Sequence, residues 1–252
     1  MAIALLTDFG TRDPYVAAMK GVLASRTEAR VHDLSHEIPP FDVLGAAWFL
    51  GTIVRYWPEG TIFVCVIDPG VGTERRIVAL ESEGRIFLAP DNGLVTFAGE
   101  GRAFAVTSEK LFLPHGSNTF HGRDRFAPVA AALANGLPIE EVGPPLARIT
   151  RLRYEAPRYE EQGVEGTIVA VDRFGNAITD VEASRIPFAP FGLRVRDLTI
   201  ERMEKNYGDA APGAFLIVGS SGRIEISVAN ASAAERLDLR RLERVALFPL
   251  NV

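Results

Sequence analysis

The chain has 252 residues, 47% hydrophobic and 23% charged, with a net charge of −5 at neutral pH. That length can bury a full core in one large domain or two smaller ones. The acidic balance excludes the basic excess that a nucleic-acid-binding surface normally carries.

Residues 3–6 form an apolar run closed by Thr7-Asp8-Phe9-Gly10, a first buried strand passing into a loop. Asp13-Pro14 reads as a helix start, with Asp13 as N-cap and Pro14 at the first helical position. Val16, Met19, Lys20 and Leu23 follow at helical spacing. Residues 31–34 read as a second strand, and Pro39-Pro40 breaks the chain. A second helix is expected over 41–56, with Val43, Ala46, Ala47, Leu50 and Val54 inward. The third strand, 61–67, holds the one cysteine, Cys65, which cannot form a disulfide within the chain and reads as packing. This alternation predicts an α/β N-terminal domain with a mostly parallel sheet.

Residues 77–80 and 85–89 read as further strands, and 126–134 as a helix closed by Asn135-Gly136. Residues 148–162, rich in arginine and glutamate with no sustained apolar period, read as the linker. Beyond Gly163, short runs at 164–171, 176–181, 192–200, 214–218, 223–228 and 244–248 predict a smaller all-β, barrel-like C-terminal domain. The expected domains are 1–150 and 163–252. No apolar run approaches the ~20 residues of a membrane span, and MAIALLTDFG lacks the basic lead-in of a secretory signal. The expectation is a cytoplasmic protein with neither membrane nor nucleic acid as partner.

Chemistry concentrates at 64–76, VCVIDPGVGTERR, where a strand breaks into an acid, two spaced glycines and paired arginines, although Asp-Pro-Gly also makes ordinary turns. In a parallel sheet Asp68 and Asp8 end strands on the same edge, where ligands bind. A carboxylate there can hold a ribose diol, or merely cap its own loop. The stretch 119–126, TFHGRDRF, places His121, a proton handler, among arginines and an acid just before a helix. It also reads as a capping loop laced with ion pairs. His32 and His36 have ligand spacing but no evident third ligand. No Gly-Lys-Ser/Thr follows the glycines, and there is no Gly-x-Ser-x-Gly elbow. In the second domain Asp172 and Asn176 share a loop, where Asn suits a purine edge and a plain hairpin turn is the competing reading. The turn at Ser220 can hold a carboxylate, and Tyr207 can stack on a base or cap the barrel.

TDFG, VIDPGVGTERR, APDNG, TFHGRDRFAPVAA and DRFGN, in this order, resemble the S-adenosylmethionine hydroxide adenosyltransferases, relatives of the fluorinases and chlorinases. The resemblance spans about residues 5–230. It implies an α/β domain followed by a β-barrel domain, and a homotrimer whose substrate lies between the first domain of one subunit and the second of its neighbour. It implies hydrolysis of S-adenosylmethionine (SAM) to adenosine and L-methionine, with no metal or redox cofactor. By the same resemblance Asp68, Arg75 and His121 position and activate water, Asp8 binds the ribose, Asp13 lies near the methionine ammonium and Phe41 walls the pocket. Phe120 is expected as a second apolar wall. Asp172, Asn176, Tyr207 and Ser220 match positions gripping the adenine or the methionine end. The halogenating relatives typically carry tyrosine at position 68 and no arginine at 75; here both charged residues are kept.

Overall fold

The structure is a computed structural model and describes residues 1–250. It divides into two compact units, Met1–Arg153 and Tyr154–Val252.

The first unit is built on a seven-stranded sheet: β1 (Ala2–Thr7), β2 (Arg30–Ser35), β3 (Ile62–Val66), β4 (Ile77–Ser82), β5 (Arg85–Pro90), β6 (Arg102–Ala105) and β7 (Pro145–Leu146). The spatial order is β2-β1-β3-β5-β4-β6-β7. Its continuous apolar runs reflect burial on both faces. Ile3 and Leu5 of β1 pack with Met19 and Leu23 of α1 (Tyr15–Ala24) and with α3 (Ala127–Ala134). Ala4, Leu6, Phe63 and Cys65 point the other way, onto Ala46 and Leu50 of α2 (Val43–Ile53).

The sheet is mixed rather than mostly parallel. The β2-β1-β3-β5 half is parallel, and every pairing beyond β5 is antiparallel. The cause is local: Glu83 and Gly84 both have positive φ, the two-residue turn that can join only antiparallel strands. Helix starts also differ from expectation. Pro14, not Asp13, occupies the N-cap of α1, and no side chain caps it. The second helix starts at Val43, capped by the Asp42 carboxylate accepting from Gly45 N at 2.9 Å. Phe41 stays outside it with φ +67°.

The second unit is an antiparallel sheet: β8 (Arg158–Glu160), β9 (Gly163–Val171), β10 (Ala177–Glu182), β11 (Phe191–Val195), β12 (Leu198–Ile200), β13 (Ala214–Val218), β14 (Arg223–Val228) and β15 (Arg244–Pro249). It runs β12-β11-β15-β9-β10-β14-β13, with β8 beside β9. Residues after β12 nearly close it: Leu216 N donates to Arg202 O at 2.8 Å and Glu204 N to Leu216 O at 2.9 Å. Ile168, Leu193, Leu216, Ile226 and Leu247 fill the interior.

The single run expected at 192–200 is two strands, because Arg196 turns the chain with positive φ. Nor is 148–162 a free linker. Arg151 donates to the carbonyls of Val95, Thr96 and Gly99, Tyr154 Oη donates to the buried Asp180 at 2.7 Å, and β8 joins the sheet. Polar bonds hold this stretch, so it has no apolar period.

Candidate active site

In the first unit Thr7 of β1 pairs with Val66 of β3, so Asp8 and Asp68 leave adjacent parallel strands at the same edge. The turn after Asp68 closes through Val71 N to Asp68 O and Thr73 N to Gly70 O. Gly72 has φ +78°, and a Cβ there would lie 2.5 Å from Asn118 O, so this loop packs directly on residues 117–119. Asn92 ties the strand end from behind, its Nδ2 donating to Ile67 O at 2.9 Å.

Arg75 occupies the centre. Its Nε donates to both Asp68 oxygens at 2.9 Å, and one terminal nitrogen donates again to Oδ2. The same nitrogen reaches His121 Nδ1 at 2.8 Å, while the guanidinium lies over the Phe126 ring. Asp68 is 5% exposed at its side chain and His121 2% exposed. A guanidinium only donates, so His121 Nδ1 accepts and Nε2 carries the hydrogen. That Nε2 is buried and has no partner among the described residues. Burial, with the charges of Arg125 and Arg75, lowers the His121 pKa to about 4, so the ring is neutral at pH 7.

His121 is held by a π-helical turn, Gly122–Phe126, that leads into α3. Asp124 in this turn is buried and accepts from Ser117 N at 2.6 Å and from Arg123 Nε at 2.6 Å. Burial pushes its pKa up, but those bonds outweigh it and hold the carboxyl below its ordinary value. Phe120 meets Phe9 and Tyr15 edge-on, centroids 6.1 and 5.1 Å away. A Cβ on Gly122 would crowd Met19, Phe120 and Phe9 at 3.1–3.4 Å. Asp8 Oδ2 accepts from Phe41 N at 2.8 Å. Among the described residues its other oxygen has no hydrogen-bond partner, and Phe41 is 70% exposed. A bulky residue at positive φ is strained backbone of the sort found at ligand sites. Asp13 is exposed.

In the second unit Asp172 Oδ1 accepts from Phe174 N and Asn176 N, at 2.9 and 2.8 Å, and its Oδ2 from Asn176 Nδ2 at 2.9 Å. The carboxylate is therefore spent on shaping its own loop, and the Asn176 carbonyl oxygen is the group left open. Tyr207 Oη donates to Glu225 Oε2 at 2.8 Å. Burial, reinforced by the Asp172 charge, raises the Glu225 pKa, against the opposing pull of the Tyr207 bond. Glu225 also presses on Gly219, where a Cβ would lie 1.7 Å from its Oε1. Ser220 is exposed in the following turn.

Sequence reasoning takes Asp124 as the acid of the 119–126 stretch and does not single out Phe9, Tyr15 or Glu225. Only Glu225 left a signal, as a polar position alternating with Ile224 and Ile226 in a buried strand. Of the remaining candidates, His32 is edge-on to Trp57 at 5.4 Å and His36 is bonded to Thr7. Among the described residues no group of three His, Cys, Asp or Glu can hold a metal, and no helix is long and apolar enough to cross a membrane.

A mixed α/β sheet carrying an Asp–Arg–His cluster at its parallel edge, followed by a barrel-like unit, defines a two-domain class that the comparisons specify. Residues 3–143 match the SAM hydroxide adenosyltransferase N-terminal domain and residues 166–246 its C-terminal domain. The chain belongs to that family. It is 42% identical to an "(R)-S-adenosyl-L-methionine hydrolase" of Thermus thermophilus, covering 94% of this chain and 96% of that one. It is 31% identical to a "Fluorinase" of an Actinoplanes species, covering 77% and 76%. An uncharacterized conserved protein of Thermotoga maritima has a crystal structure that superposes with a TM-score of 0.91 at 32% identity, covering 98% of this chain and 99% of that one.

Proposed function

We propose that this chain hydrolyses S-adenosyl-L-methionine to adenosine and L-methionine. Water attacks the ribose 5′ carbon in line with the carbon–sulfur bond. A C–O bond forms, the C–S bond breaks, its electron pair goes to sulfur, and the sulfonium leaves as the neutral thioether of methionine. One water proton is released.

One observation carries this reading: the buried cluster in which Arg75 grips Asp68 and His121 together, leaving His121 Nε2–H unpartnered. A neutral imidazole donating from Nε2 can hold the water oxygen and stabilise developing hydroxide, with the Arg75 charge behind it. Since Nδ1 is already occupied, His121 is the donor, and the Asp68 carboxylate is the group that takes the proton. The leaving group is already activated as a cation, so the reaction calls for no metal or redox cofactor. Orientation of the water contributes several kcal/mol of its own, and Phe41 and Phe120 limit bulk solvent.

Asp8 takes the ribose diol through its open oxygen, and Asp13 attracts the methionine ammonium. Asn176, shaped by Asp172, and the ring of Tyr207 take the adenine; Ser220 takes the methionine end. The enzyme is cytoplasmic and a homotrimer whose sites draw on two subunits; the division of ligand-type side chains between the two units supports this.

A halide-using synthase is the second reading, favoured by the fluorinase relative. The buried Asp68 carboxylate opposes it, because a fixed negative charge repels a halide ion. A non-catalytic SAM-binding protein is the third. Incubation with SAM in heavy-oxygen water, with and without chloride and a chelator, separates them by mass spectrometry. Labelled adenosine that persists in chelator is expected. A halogenated nucleoside, or binding without turnover, overturns the hydrolase reading.

A further inference from the structure

His36 is 5% exposed and takes part in no step described above. Its Nδ1 lies 2.8 Å from Thr7 Oγ1; its Nε2 lies 3.0 Å from Asp33 Oδ1, a charge contact that is off line for a hydrogen bond. Lys20 Nζ of α1 reaches Asp33 Oδ2 at 2.5 Å. Thr7 Oγ1 also accepts from Phe9 N at 3.3 Å, and Gly10 N donates to His36 O at 2.7 Å.

Asp33 is held below its ordinary pKa: burial pushes it up, but the Lys20 and His36 contacts outweigh that. It is thus acceptor-only, and its charge faces the His36 ring edge across that contact. Thr7 Oγ1 lies within hydrogen-bond distance of both His36 Nδ1 and Phe9 N, so it ties the His36 loop to the Asp8 loop whichever tautomer the ring holds.

Asp8 sits between Thr7 and Phe9, both gripped by this chain, and its own Oδ2 is bonded to Phe41 N five residues beyond His36. His36 therefore fastens two loops to each other, the one carrying the acid and the one carrying the exposed aromatic ring.

We propose that Lys20, Asp33, His36 and Thr7 form a positioning relay that fixes Asp8 for the ribose diol, an inference that rests on the Asp8 role given above. These residues touch no substrate. They hold the open Asp8 oxygen in place, so that a bound diol does not have to order it.

The test compares dissociation constants for adenosine and 2′,3′-dideoxyadenosine by calorimetry, in the parent enzyme and in Thr7→Val, Thr7→Ser, Asp33→Ala and Lys20→Met. The parent is expected to prefer adenosine by about tenfold or more, as one charge-assisted diol interaction implies. Thr7→Val keeps the shape and removes the hydroxyl, and should cut that preference to about twofold, while Thr7→Ser restores it. Asp33 and Lys20 are about 40% exposed, so their variants should keep the parent's melting temperature while showing a reduced preference. A general loss of packing would weaken both nucleosides alike and leave the ratio unchanged. A parent that discriminates while Thr7→Val and Asp33→Ala keep the full ratio overturns the relay alone. A parent that binds both nucleosides equally overturns the Asp8 reading and the relay with it.

Discussion

Arg75 does two jobs that one smaller cation cannot share. Its fork satisfies Asp68 through Nε and a terminal nitrogen and still reaches His121 Nδ1, which settles the imidazole tautomer. Lysine offers a point charge without that geometry. Arg75→Lys should therefore lower kcat/KM by roughly 10²- to 10³-fold, the usual cost of losing a fixed donor to developing charge. SAM affinity by calorimetry should stay within about threefold; a variant retaining near-parental turnover would sink the role. The low His121 pKa makes a second prediction. The folded state keeps this histidine neutral down to about pH 4, whereas an unfolded histidine takes up its proton near pH 6.5. Between those values the unfolded chain binds more protons, so stability is fully present above about pH 6.5 and is lost as pH falls toward 4. Urea midpoints at pH 7.5 and 5 should differ by less in His121→Asn. The kcat/KM profile should show no inflection near pH 6.5, and an inflection there would assign the ring a proton-accepting role instead.

The loop after β3 works because two backbones touch. Gly72 has φ +78° and no room for a Cβ against Asn118 O, so Gly72→Ala should cost about 1–2 kcal/mol in backbone strain alone, with more from the clash. A melting temperature lowered by several degrees, with a larger loss of kcat than of SAM binding, is the expected result. An unchanged melting point would contradict the contact. This loop was legible in the sequence as a strand end turning at Asp-Pro-Gly, with the motifs at 7–10 and 119–126 weighing against an ordinary turn, and the parallel pairing of β1 with β3 followed from their continuous apolar runs. What stayed hidden has physical causes. The π-helical turn at Gly122–Phe126 rests on the buried Asp124 and on aromatic packing from distant segments, neither of which has a sequence period. Phe41 reads as a helical residue until Asp8 takes its N–H. The short strands β6 and β7 lack the length for a pattern. Asp172 reads as a ligand or a turn residue alike, because the bonds by which it caps its own loop leave no trace in residue type.

At the scale of the whole molecule, the proposed hydrolase would take the reacting end of SAM on side chains of the first unit and the base on side chains of the second. If a homotrimer builds each site from the first unit of one subunit and the second of its neighbour, defects in different units are separable. Asp68→Asn removes the proton acceptor and Asn176→Ala removes a base contact, so each homogeneous variant should be nearly inactive. When the two are unfolded together, refolded and reassembled, subunits combine at random. A site then needs an intact first unit from one chain and an intact second unit from another, so about a quarter of the sites should recover parental activity. If each site came from a single chain, every site in the mixture would carry one of the two defects and no activity would return. Mixing without unfolding should give little activity at first, rising only as subunits exchange. Light scattering on the active sample fixes the other half of the claim, since a monomer that turned SAM over would remove the neighbour on which the shared site depends.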